Sequence, residues 1–146
     1  MFDVRIATHS ELSEVECLYA ICGYRGGVDP ADTTFLARSQ GQLIGAVRIC
    51  VEHGVTVLRG MHVLPSFQRQ RAGSQLLTAT IPLLNKSPSY CLPYSHLVSF
   101  YGSASFETAK PNQVPDFLRD RLAVYLARGQ DIIAMSRSAV RGAIQP

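Results

Sequence analysis

In the stretch LPSFQRQRAGSQLL, Leu64 to Leu77, two arginines and two glutamines stand where an apolar helical pattern begins. Cations at a helix N-terminus face the positive end of the macrodipole, so Arg69 and Arg71 require a negative partner. The first-turn N–H groups of a helix have no intrahelical acceptor, and with the dipole they make an anion site. Gly73 would let a ligand come close to the backbone, and the Ser74 hydroxyl adds a donor. Local physics leaves a second reading open, in which these polar side chains only solvate a loop. The spacing fits neither GxxxxGK[ST] nor GxGxxG.

Other residues have chemistry to offer. His62, Glu52 and His53 lie on or near one predicted strand, where an imidazole or carboxylate could accept a proton; a water chain would serve as well. Arg59, between Leu58 and Gly60, is costly to bury unpaired. It either pairs with a core carboxylate or clamps an acidic acceptor. Cys91 and His96 read as core and helix-start residues, with no third residue to orient a nucleophilic pair.

These residues need elements to position them. Phe2, Val4 and Ile6 alternate with Asp3 and Arg5, which predicts a first strand with one buried face. Thr8 and Glu11 have capping-box spacing ahead of Leu12, Val15, Tyr19 and Cys22, a helix that Gly23 ends. The segment GYRGGVDPADT then forms a flexible connection that borders a cleft. TTFLARSQ, GQLIGAVRICV and VTVLRGMHVLP predict three strands in an antiparallel meander. Alternation places Arg59 on one face with Val57 and Met61 unless a bulge intervenes.

From Ala72 a helix carries Leu76, Leu77, Ile81 and Leu84 on one face, and Pro82 is expected to kink or end it. YCLPY predicts a short buried strand, and SHLVSFYGS a short helix capped by Ser95. SFETA returns as a strand. Phe117, Leu118, Leu122, Tyr125 and Leu126 mark another amphipathic helix, stopped by Gly129, and DIIAMSR is the last strand. Alternating elements of this kind define an α/β or α+β fold with helices covering a mixed sheet.

The 146 residues fit one domain, residues 1–146, large enough for an apolar core without metal or disulfide. The net charge of +3 rests mostly on arginine, which favours a local anion site over a broad nucleic-acid surface. A nucleic-acid role for Arg69, Arg71, Arg119, Arg121 and Arg128 is disfavoured because acidic residues intersperse the last three. Cys17, Cys22, Cys50 and Cys91 lack zinc-ribbon spacing and read as reduced thiols, mostly in the core. No signal peptide or long apolar run is evident, so a cytoplasmic protein without membrane or metal is expected.

MHVLPSFQRQRAGSQLL resembles the acetyl-CoA motif of the GNAT superfamily of N-acetyltransferases, V-x-P-x-[FY]-[RQ]-x-x-G-x-[GA]-[ST]-x-L-L. Val63, Pro65, Phe67, Gln68, Gly73, Ser74, Leu76 and Leu77 fall in register. FYGSASF, Phe100 to Phe106, is similar to the family's later F/L-Y-x-x-x-G-F segment. Arg71 and Ser105 stand where these motifs carry glycine. An arginine disfavours left-handed backbone, which predicts ordinary helical or bridge conformation at Arg71. Tyr94 replaces an asparagine that contacts the cofactor in many members.

The resemblance implies a mixed, mostly antiparallel sheet of about six or seven strands flanked by helices and splayed between strands four and five. It also implies acetyl-CoA as cosubstrate. The pantetheine arm would pair with Met61, His62 and Val63, and the pyrophosphate would lie on Gln68, Arg69, Gln70, Arg71, Ala72, Gly73 and Ser74. Tyr101 matches the family's general acid. The expected activity is acetyl transfer to a primary amine of a small or amino-acid-like molecule, with Arg59 as a substrate residue. A non-catalytic acyl-CoA-binding module of the same fold is the competing reading, and homodimerisation, frequent in the family, stays open.

Overall fold

The computed structural model describes residues 2–140. Strand β1 (Asp3–Ile6) and helix α1 (Leu12–Ile21) lead into the meander of β2 (Thr33–Ser39), β3 (Gln42–Glu52) and β4 (Val55–Val63). Helix α2 (Ala72–Leu84), strand β5 (Ser89–Cys91), helix α3 (Val98–Gly102), strand β6 (Glu107–Ala109), helix α4 (Asp116–Ala127) and strand β7 (Ala134–Arg137) follow. They build one seven-stranded sheet in the order β1-β2-β3-β4-β5-β7-β6. Neighbours are antiparallel except β4 and β5, which run parallel and pair only at Thr56–Ser89 and Val57–Tyr90. Beyond Val57 the two strands splay, as the resemblance implied.

Helices cover both faces. Val15, Leu18 and Tyr19 of α1 bury against Leu36, Leu43 and Ala46, while Leu118 and Leu122 of α4 cover Val57 on the same side. On the other face Leu76, Leu77 and Leu84 of α2 pack with Phe35, Val47, Ile49 and Leu58, joined by Tyr101 and Phe106. Apolar burial at about 25 cal/mol per Å² supplies the main cohesion of these layers.

Several local expectations shift. Ile6 is exposed because β1 is an edge strand, and Leu126 is exposed at the last turn of α4. Pro82 sits inside α2 without ending it; the helix runs two residues further, where few later N–H groups depend on the lost geometry. Ser95 does not cap α3. It lies in a short 3-10 turn, Ser95–Leu97, and its hydroxyl donates to Asp131 across the chain. Cys50 and Cys91 are buried, but Cys17 is exposed and Cys22 half-buried; all four are free thiols.

A bulge in β4 settles the side on which Arg59 lies. Ala46 pairs with His62 and Arg48 with Arg59, so Gly60 and Met61 together oppose Val47. Gly60 takes φ +70°, a conformation natural to glycine at such a bulge. The extra residue reverses the alternation. Arg59 shares its face with Val57, whereas Met61 packs into the opposite core with Leu58. The expected common face of Arg59 and Met61 is therefore not formed.

Candidate active site

The end of β4 leads straight into the loop that carries Gln68 to Arg71. The N–H of Leu64 donates to Ile44 O at 2.8 Å, so by antiparallel alternation Val63 directs its own N–H and C=O to the opposite edge, towards the splay. There Gln68 Nε2 donates to Val63 O at 3.1 Å. After a 3-10 turn, Pro65–Phe67, the loop reaches α2 with Arg71 at the N-cap position. No side chain caps this end, and the first helical hydrogen bond runs from Gln75 N–H to Arg71 O. The N–H groups of Ala72, Gly73 and Ser74 therefore precede the ladder and face outward as donors.

The loop backbone departs from expectation. Arg69 and Arg71 both adopt left-handed conformation, φ +66° and +69°. Each costs about 1–2 kcal/mol for a residue with a Cβ, and strained residues of this kind concentrate at ligand-binding turns. Tertiary position overrides local preference here: the turn from β4 into α2 needs the geometry that glycine usually supplies, and Arg71 adopts it. Ser105, at the second motif's glycine position, does the same with φ +74°. Gly73 is half-buried, and a Cβ there would stand 3.5 Å from the Phe100 ring, an ordinary contact.

On the face of α1 and α4 the splay opens into a cleft of about 750 Å³. Arg59, Gly60, Met61 and His62 of β4, the segment Cys22–Gly26, Cys91–Tyr94, Tyr101 and residues of α4 line it. Of the residues singled out from the sequence, Arg59, Met61, His62 and Tyr101 thus come together. Residues 68–74 do not line the cleft and lie at the α2 end of the same β4 edge.

Tyr101 is 7% exposed, and among the described residues its hydroxyl has no hydrogen-bond partner. Burial pushes its pKa above the ordinary value, so it remains a proton donor. His62 lies against Tyr24, ring centroids 4.6 Å apart, and edge-on to Tyr19 at 5.8 Å. Burial lowers its pKa, leaving a neutral imidazole at neutral pH.

The other candidate bases, Glu52 and His53, do not line the cleft. Glu52 accepts hydrogen bonds from Arg121 at 2.6 Å and Arg59 at 3.4 Å. Burial pushes its carboxyl up, but Arg121 and Arg59 outweigh this and hold the pKa below the ordinary value. His53 is exposed in the β3–β4 turn, against Phe117 and outside the cleft. Cys91 is buried and its thiol raised by that burial, whereas His96 is exposed beside Tyr94, so no Cys-His pair forms.

Sequence reasoning missed the support behind His62. Arg48, 3% exposed in β3, donates to Asp32 Oδ2 at 2.8 Å and to the Tyr24 hydroxyl at 2.9 Å. Its Nε and the Tyr19 hydroxyl are buried without partners beside the Gly60 bulge. The signal was present in AVRICV, a charge inside a buried strand, which is the reasoning applied to Arg59.

A family profile described as Acetyltransferase (GNAT) family matches residues 1–91, more than half of the chain, and the chain belongs to that family. The matched part contains the loop and α2; Tyr101 lies beyond it. The fold is similar to that of the ribosomal-protein-S18-alanine N-acetyltransferase from Escherichia coli, with TM-score 0.72, 16% identity, and 100% of this chain and 99% of that one covered. It is also similar to Neisseria gonorrhoeae N-acetylglutamate synthase complexed with coenzyme A and N-acetyl-glutamate, with TM-score 0.70 and 16% identity. That match covers 97% of this chain, which spans only 36% of the synthase. Arabidopsis thaliana Naa50 in complex with the bisubstrate analogue CoA-Ac-MVNAL matches with TM-score 0.66 and 17% identity, over 94% and 98% of the two chains. At these identities the likeness is one of fold. A search of curated proteins finds no match.

Proposed function

We propose that this chain is an acetyl-CoA-dependent N-acetyltransferase that acts on a primary amine by direct attack. One arrangement carries the reading: an unpaired β4 edge at Val63 leads to an uncapped helix N-terminus flanked by Arg69 and Arg71, beside a cleft holding Tyr101 and His62. The free donors suit a pyrophosphate, and the Val63 N–H and C=O suit the amides of a pantetheine arm. The family's thioester supplies an activated acetyl group when bound.

The residues divide the remaining work. The neutral His62 imidazole accepts the proton that the acceptor's ammonium must lose before its nitrogen attacks. As the carbon–sulfur bond breaks, the Tyr101 hydroxyl donates its proton to the departing thiolate, and the second proton that the acceptor nitrogen sheds on becoming an amide restores the phenol. The ring contacts with Tyr24 and Tyr19 hold His62 at the cleft wall. Arg59 receives the acceptor.

A free-thiol release assay with acetyl-CoA across a panel of primary amines tests the reading. Turnover is expected, with kcat reduced roughly 10²-fold in Tyr101→Phe. Acetyl-CoA binding without turnover of any amine, unchanged in Tyr101→Phe, would instead identify an acyl-CoA-binding module.

A further inference from the structure

The charged side chains of the cleft wall are all arginines. Arg25 from the loop after α1, Arg59 from β4, Arg121 from α4 and Arg128 just past its C-terminal end all line the cleft, and no Asp or Glu does. Glu52 is shared between Arg121 and Arg59, so one negative charge answers two of these positive ones. Arg121 engages it with both terminal nitrogens. Arg59, which lines the cleft and is 27% exposed, touches Glu52 through Nη1 alone, at 3.4 Å, and its Nε and Nη2 make no hydrogen bond among the described residues. Arg25 and Arg128 form no ion pair among the described residues.

Such a wall discriminates by repulsion as well as attraction. A polyamine or other polycation would bring ammonium groups against four guanidinium side chains with no carboxylate lining the cleft to receive them. An anion gains a guanidinium whose planar fork matches carboxylate or phosphate oxygens. Tyr24, Tyr94 and Tyr125 complete the lining with aromatic surface and hydroxyl groups.

We propose that the acceptor is a primary amine bearing an anionic group, a carboxylate or a phosphate ester, received by the free side of the Arg59 guanidinium. This inference rests on the acetyltransferase reading and specifies its substrate class. The reacting nitrogen keeps the role assigned to it above, and the anion fixes it in the cleft.

The test compares glutamate and aspartate, O-phosphoethanolamine, 2-phenylethylamine and spermidine as acceptors, by thiol release and by calorimetric binding in the presence of coenzyme A. At least one anionic amine should exceed both 2-phenylethylamine and spermidine tenfold or more in kcat/KM and in affinity. The dicarboxylic and phosphate arms distinguish the two sources of charge. Arg59→Gln should reduce that preference at least tenfold, mainly through KM, and Arg59→Lys should restore part of it. A merely structural Arg59 would lower all acceptors together. Binding preference for the anion without turnover would overturn the enzymatic reading while supporting the anion site. Preference for spermidine or 2-phenylethylamine, or an equal loss for every amine in Arg59→Gln, would overturn the inference.

Discussion

Tyr24 and His62 form a stacked pair, ring centroids 4.6 Å apart and planes 33° from parallel, although one lies on a loop and the other on β4. The Tyr24 hydroxyl accepts a hydrogen bond from Arg48, which Asp32 anchors in turn. Arg48 of β3, paired with Asp32 just before β2, thus holds the Tyr24 hydroxyl, and the Tyr24 ring lies against the imidazole. Burial lowers the His62 pKa below the ordinary value of about 6.5. Because the base must be neutral, kcat/KM should rise with pH through a pKa below about 6.5 and level off above it. His62→Gln should remove this limb and about 10² of the rate; a pH–rate profile of both proteins decides.

The bulge that turns Met61 away from Arg59 depends on Gly60. A Cβ there would lie 2.5 Å from the Tyr19 hydroxyl and 3.1 Å from Arg48 Nε, both in buried side chains. The position also has φ +70°. Backbone strain of about 1–2 kcal/mol and overpacking of about 1–3 kcal/mol act together in Gly60→Ala. A loss of about 2–5 kcal/mol is expected in urea denaturation.

Arg71 and Ser105 are non-glycine residues in left-handed backbone. Replacement by glycine relieves about 1–2 kcal/mol of strain against about 0.4–1 kcal/mol of added unfolded-state entropy. Arg71→Gly and Ser105→Gly should each therefore be neutral or stabilising by up to about 1.6 kcal/mol, measured by thermal denaturation. Arg71→Gly also separates charge from geometry. Its acetyl-CoA affinity should fall severalfold at low salt and approach that of the parent as salt screens the lost cation.

Far from the cleft, Glu11 ties β1 to β2. It accepts from Arg5 at 2.6 and 2.7 Å, from the Thr8 N–H at 2.8 Å and from Arg38 at 2.8 Å. Arg5, the Thr8 N–H and Arg38 hold its carboxyl well below the usual carboxylate range. A depressed folded pKa contributes stability above the unfolded value of about 4.3, and this contribution is lost as pH falls towards the folded value. Glu11→Gln should cost about 1.5–3 kcal/mol at pH 7, and the gap between the two proteins should narrow below about pH 4. Chemical denaturation at several pH values measures it.

The strand order of the meander and the start of α2 were legible because period-2 and period-3.6 patterns and motif spacing are local. What stayed hidden depends on tertiary context. Arg71 could not be read as left-handed from its own side chain, since the closure of β4 onto α2 imposes that geometry. Arg59 could be placed relative to Met61 only after the Gly60 bulge fixed the register with Val47. Arg48, Asp32 and Tyr24 meet because the meander and the loop after α1 converge, and no periodicity reports such a meeting. Tyr101 reached the cleft as its motif implied, yet the four-arginine wall emerged only once α4 was seen beside β4.

A crystal structure of the protein with acetyl-CoA tests the central claim most directly. The pantetheine amides should pair with the Val63 backbone in place of the Gln68 side chain, the pyrophosphate should rest on the N–H groups before Gln75, and the thioester should reach Tyr101. A bound coenzyme lying elsewhere, with Gln68 still on Val63 and those N–H groups untouched, would contradict it.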